Sequence, residues 1–226
     1  MRRQVTVLVA PSGSGKSLLT LQLSLACGQG IAWAGWHPRG AYKSLIVNSE
    51  DDQDEMSRRL AAALHVMPLI QQDSLRNRLA FVDQTNDAII AKFDVRSKTL
   101  VRTPLVEMLI ATIVQNSFDI IVVDPFAETF EGDENSNSEL KWAGIIWREV
   151  ARRTNAAVLL VHHTKKYATG MAGDVDAARG AGALIGIARI VSTLFPMTEK
   201  EAASFWPTEQ TKIAPPICAT TTPKQT

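Results

Sequence analysis

Residues 4–17 read QVTVLVAPSGSGKS, and the fold turns on this stretch. Gln4–Val9 is a short β-branched apolar run, and the SLLTLQLSLACG that opens at Ser17 brings leucines back at helical spacing before a glycine stop. Between them lies a glycine-rich turn. Residues 10–17, APSGSGKS, match the phosphate-loop pattern, with Ala10 where the first glycine is usual and with the required strand before and helix after. In such a loop the backbone N–H groups of Gly13, Ser14, Gly15, Lys16 and Ser17 converge on a phosphate at a helix N-terminus, where the macrodipole also favours an anion. The binding segment read from the motif is therefore Pro11, Ser12, Gly13, Ser14, Gly15, Lys16, Ser17 and Leu18, with ATP as the nucleotide. Lys16 is expected to reach its β and γ oxygens, and the Ser17 hydroxyl to ligate Mg2+.

Outward from the loop, strands and helices alternate. Ser44–Asn48 (SLIVN) reads as a strand, and Asp54–Val66 as an amphipathic helix with Met56, Leu60 and Leu64 on one face. Leu79–Val82 is a short strand, and Pro104–Gln115 a helix opened by a proline after Thr103. Asp119–Val123 (DIIVV) and Ala156–Val161 (AAVLLV) are buried strands on either side of a helix over Ser138–Thr154, and Ile185–Phe195 is a further strand region. This alternation predicts an α/β fold, a RecA-like P-loop core with a mostly parallel sheet, helices on both faces and ligands at the strands' carboxyl ends. Residues 1–206 are expected to form one ATPase domain. Residues 207–226, rich in Thr and Pro, have little to bury and are expected to be a disordered or truncated tail. Thr164–Gly182, rich in Gly, Ala and Asp, reads as a long mobile loop.

Composition narrows the partners only weakly. A formal net charge of +1 gives no global pull toward polyanions, so nucleic acid would have to be met by a local cluster or an assembly. The two cysteines, Cys27 and Cys218, are too few for a disulfide framework and fit a reducing cytoplasm. No apolar run approaches the ~18 residues of a membrane span, so a soluble, cytoplasmic protein is expected.

Several polar residues stand where strands should end. Asp124 follows DIIVV and would lie beside the phosphate loop as a magnesium-holding carboxylate. Pro125 follows it, so the group that polarises the attacking water must come from elsewhere. Glu50, just past SLIVN, is the candidate, with Asp51 as substitute; alternatively Asp51, Asp52, Asp54 and Glu55 belong to an acidic run that complements a helix dipole. After AAVLLV come His162, His163, Thr164, Lys165 and Lys166, and His163 is the candidate γ-phosphate sensor, a structural histidine being the other reading. A two-histidine metal site is disfavoured because neighbouring side chains on a strand point apart. The Lys165–Arg179 loop carries basic residues suited to a phosphate backbone, although Asp174 and Asp176 weaken that reading. Arg179 and Arg189 frame RGAGALIGIAR, and either could act as an arginine finger on a neighbouring subunit's nucleotide.

With APSGSGKS, LIVNSEDD, IIVVDPFAETFEGDENS, VLLVHHTKK and RGAGALIGIAR in this order, the chain resembles the RepA-like branch of the RecA/DnaB superfamily of hexameric ATPases, which includes replicative helicases. The resemblance implies ATP bound between subunits of a homo-oligomer, a hexameric ring being the family's form, with Glu50 as catalytic carboxylate, His163 as sensor and Arg189 or Arg179 as the trans finger. It further implies single-stranded DNA in a central channel, contacted through Lys165–Ala178 and Phe130–Asn137. Members of the group usually carry a segment ahead of the first core strand and a last strand pair, neither of which is read from this sequence. A nucleotide-gated regulatory or DNA-binding ATPase without unwinding activity is the alternative.

Overall fold

The computed structural model describes residues 1–67, 70–82, 88–134, 136–164, 182–197, 204 and 217–223. Strand β1 (Val5–Pro11) runs into the phosphate loop and helix α1 (Lys16–Gln29), followed by β2 (Ser44–Asn48), α2 (Gln53–Val66) and β3 (Leu79–Val82). Strands β4 (Ala91–Asp94) and β5 (Thr99–Arg102) come next, then α3 (Leu105–Asn116), β6 (Ile120–Asp124), α4 (Asn137–Thr154) and β7 (Ala157–Thr164). The described chain closes with α5 (Gly182–Ile185), β8 (Ile190–Pro196) and β9 (Ile217–Pro223).

Six strands form a parallel sheet in the order β3-β2-β6-β7-β1-β8, with β9 antiparallel on the β8 edge. This is the α/β architecture the alternation of elements predicts, consistent with a RecA-like P-loop domain. Because side chains alternate along a strand, the sheet has two apolar faces. Val5, Val7, Val9, Leu45, Val47, Ile121, Val123, Val158 and Leu160 pack with α3 and α4; Leu8, Ala10, Ile46, Val122, Leu159 and Val161 pack with α1 and α2. Each fully buried aliphatic side chain contributes about 1.5–3 kcal/mol. Trp147 of α4 is wholly buried on the first face, and its indole N–H donates to Thr129 Oγ1 at 3.2 Å.

The helix limits follow local chemistry. α1 stops at Gly30, whose φ of 72° is left-handed, and α2 starts at Asp52, whose carboxylate accepts the Glu55 N–H at 2.8 Å. Pro104 takes helical angles immediately ahead of α3. Ser136 caps α4 by accepting from the Glu139 N–H.

Three sequence expectations need correction, and one element was not foreseen. The strand read over Ala156–Val161 continues to Thr164, so both histidines are strand residues. The region read as strand from Ile185 begins instead with α5, because Leu184 and Ile187 are drawn onto α4 at Gly144, where an added Cβ would come within 2.6 Å of Ile187 Cδ1. The strand proper starts at Ile190. Part of the tail expected to lack structure forms β9, paired along the length of β8; backbone pairing there does not need the apolar content that the reading required. The β4–β5 hairpin was not foreseen, since AKFD and TLVR lack a continuous apolar run.

Candidate active site

β1, β2, β6 and β7 are parallel and end at one edge. The register sets Asn48 beside Asp124 and Ala10 beside His163. Since β7 lies between β1 and β6, its last residues stand between the phosphate loop and Asp124. This juxtaposition joins residues more than a hundred positions apart.

The phosphate loop has the shape its glycines permit. Gly13 and Gly15 have φ of 73° and 80°, in the left-handed region open to glycine, and nothing lies within 4 Å of where a Gly13 Cβ would be. The Leu19 N–H bonds Gly15 O at 2.9 Å as the first helical bond of α1, so the amides of Lys16, Ser17 and Leu18 have no intrahelical acceptor. An open glycine cradle edged by helical donors suits an anion. Lys16 is buried and its Nζ donates to Pro11 O at 2.7 Å and Ala10 O at 3.3 Å, while the Ser14 hydroxyl is tied to Pro11 O at 2.7 Å.

The charges respond to burial. Desolvation lowers the Lys16 pKa, opposed by the carboxylates of Asp124 and Glu50. Desolvation likewise raises the Asp124 carboxyl, opposed by the Ser17 hydroxyl bond and by Lys16 and His163, with Asp51 adding to the rise. A hydroxyl and a carboxylate already in contact at the loop's edge form an oxygen pair of the kind that Mg2+ takes, so Ser17 and Asp124 fit the metal role expected of them.

The acidic run after β2 divides its tasks. Asp52 caps α2. Asp51 accepts from Arg59 at 2.8 Å and from Asn48 Nδ2 at 2.8 Å, and Glu55 pairs with Arg58 and Arg59. Asp51 is thereby occupied, which argues against it as the substitute base. Glu50 is different: its carboxylate is half-exposed and its Oε1 lies 3.8 Å from His163 Nε2. On the opposite side of the same ring, His163 Nδ1 is 3.3 Å from Ser12 Oγ. His162 points to the other face, buried edge-on against Phe126 at 6.3 Å.

Asn48 was missed in the sequence. It is buried at the end of β2, and its Oδ1 accepts the N–H groups of both Glu50 and Asp51 at 2.8 Å, which shapes the turn that presents Glu50. A polar residue closing an apolar strand directly before an acidic run was the available signal.

Of the two candidate arginines, the described one is not brought to this site. Arg189 is exposed at the start of β8, its N–H bonded to Val5 O at 2.8 Å, so it sits at the amino edge of the sheet. The seven residues of β1, six steps from Val5 to Pro11, separate it from the phosphate loop by about 20 Å. Arg179 and the Lys165–Ala178 loop lie outside the described residues. A cavity of about 670 Å³ near the amino ends of β1, β6 and β7, lined by Thr6, Cys27, Trp36 and Tyr42 among others, is also remote from this edge.

A family model described as AAA domain matches residues 1–169, three-quarters of the chain. The chain belongs to the AAA domain family. No curated protein matches it significantly. The match spans β1 to β7 of this AAA domain and thus every residue gathered at the carboxyl edge. AAA-type P-loop ATPases bind nucleotide, which accords with the cradle formed by residues 11–18. No helix among the described residues is long and apolar enough to cross a membrane.

Proposed function

We propose that this AAA domain is a magnesium-dependent ATP hydrolase that acts on single-stranded DNA as a homo-oligomer, in the manner of the RepA-like ATPases. The observation that carries the catalytic part is the meeting of Glu50, His163 and Ser12 at the mouth of the phosphate loop. The loop amides of residues 13–18 and the Lys16 ammonium hold the phosphates. Mg2+ held by Ser17 and Asp124 would neutralise charge on the β and γ oxygens. Glu50 accepts a proton from the water that attacks the γ-phosphorus, and the bridging bond breaks to release ADP and phosphate. His163 offers a donor to a γ-phosphate oxygen and passes its loss along β7 toward the residues that follow Thr164.

The DNA and oligomer parts rest on the resemblance carried by the ordered motifs, with Lys165–Ala178 and Phe130–Asn137 as the contacting segments. An arginine finger would come from a neighbouring subunit. For Arg189 that requires the neighbour's nucleotide to face the amino edge; Arg179 is the other candidate.

Turnover of ATP with and without Mg2+ and single-stranded DNA tests the reading. Wild type should require Mg2+ and be stimulated by DNA, and Lys16→Ala should abolish turnover. A wild-type chain without ATPase activity under either condition would sink it. Turnover with no strand displacement and no DNA stimulation would replace the motor with a nucleotide-gated regulator.

A further inference from the structure

The His163 ring is held from one side and faces an acceptor on the other. Its Nδ1 is 3.3 Å from Ser12 Oγ. Its Nε2 is shielded from solvent, makes no hydrogen bond among the described residues, and lies 3.8 Å from Glu50 Oε1. A neutral imidazole carries one N–H and one lone pair, and which nitrogen holds the proton follows from the partners. If Nδ1 held it, the Nε2 lone pair would face the lone pairs of a carboxylate. With the proton on Nε2, the N–H faces Glu50 and Nδ1 accepts from the Ser12 hydroxyl, which rotates to donate. Of the two neutral forms, only the second suits every group.

We infer that Ser12 is a positioning residue: by donating to Nδ1 it fixes His163 as the Nε2–H tautomer, aimed at the space in front of Glu50. The hydroxyl of Ser14 cannot substitute, because it is spent on Pro11 O. Ser12 therefore does more than supply a loop backbone. Its side chain links the phosphate loop to the imidazole, so the ring's orientation is tied to the conformation of the segment that grips the phosphates. The inference rests on the proposed hydrolytic reading for its consequence, and on the geometry alone for the tautomer.

The test is ¹⁵N long-range correlation spectroscopy of the histidine-labelled full chain at about pH 8, where an ordinary imidazole is neutral, with His163 assigned through His163→Gln. In wild type, Nδ1 should appear as an unprotonated nitrogen that accepts a bond. In Ser12→Ala its resonance should move toward that of a free acceptor nitrogen, Ser12→Thr should restore it, and Ser14→Ala should leave it unchanged. In the same samples Ser12→Ala should lower kcat about tenfold, as loss of a partner that orients a functional histidine does, with KM for ATP little altered and recovery in Ser12→Thr. A protonated Nδ1 in wild type, or an Nδ1 resonance identical in wild type and Ser12→Ala, overturns the inference. If wild type hydrolyses no ATP, the hydrolytic reading fails by itself and the Nδ1 resonance still decides the positioning claim.

Discussion

Replacing Asn48 by alanine should separate the geometry of the site from its affinity. Asn48 Oδ1 accepts two backbone N–H groups, and Nδ2 donates to the Asp51 carboxylate, all at 2.8 Å, with a further contact to Met56 Sδ at 3.2 Å. Neutral bonds contribute about 0.5–1.5 kcal/mol each and a bond to a charged group about 1.5–3 kcal/mol. The Glu50–Asp51 turn is only part-buried, and water recovers some of this loss, so a net cost near the low end, about 2 kcal/mol, is expected. For a chain of this size that corresponds to a fall in Tm of about 4–8 °C. The functional cost should be larger, because a carboxylate displaced by about 1 Å can lose up to a hundredfold in rate. Urea unfolding, ATP turnover and fluorescent-nucleotide binding on the same preparation give the comparison. Nucleotide affinity should be retained, since residues 11–18 do not depend on the turn. Asn48→Asp should recover part of the stability through its acceptor oxygens but set a second carboxylate against Asp51. Full turnover in Asn48→Ala, or a loss of affinity that matches the loss of rate, would refute the reasoning.

Three further variants probe other parts of the site and the fold. Glu50→Gln should keep nucleotide binding and lower turnover by about 10²–10⁴-fold, the usual worth of a general base; unchanged turnover would move that role to another group. Asp124→Asn should raise the Tm of the nucleotide-free protein, because burial disfavours the charged carboxylate, while magnesium-dependent turnover is lost; a fall in Tm would count against the burial argument. Arg153 holds the Glu107 carboxyl below its usual range, and at Glu149 burial pushes upward but bonds from Arg102 and Arg153 outweigh it. Folded values below the ordinary 4.5 mean that this contribution is present above that pH and is lost as pH falls through the lowered values. The double change Glu107→Gln and Glu149→Gln should therefore flatten the fall of stability below that pH in acid unfolding curves, and curves parallel to wild type would show the pairs to be neutral.

Much of this architecture is local chemistry. A β-branched run, a glycine turn and a helical leucine pattern define β1, the phosphate loop and α1 without help from the rest of the chain, and DIIVV and AAVLLV are too apolar to be anything but buried strands. Where local signals were weak the reading failed. The hairpin of β4 and β5 and the edge strand β9 are held by backbone pairing, which leaves little trace in side-chain pattern, and α5 owes its place to the space that Gly144 leaves on α4.

The sequence alone determined that a phosphate loop follows the first strand and that Glu50, Asp124 and His163 stand at or near the carboxyl ends of later ones, because a strand's end is largely a local property. Which of these ends become neighbours is a property of strand order, and only the tertiary structure decided it. Insertion of β7 between β1 and β6 brings His163 against Ser12 and toward Glu50, while the parallel pairing of β8 with β1 leaves Arg189 at the far edge. Spacing along the chain carries no information about that insertion.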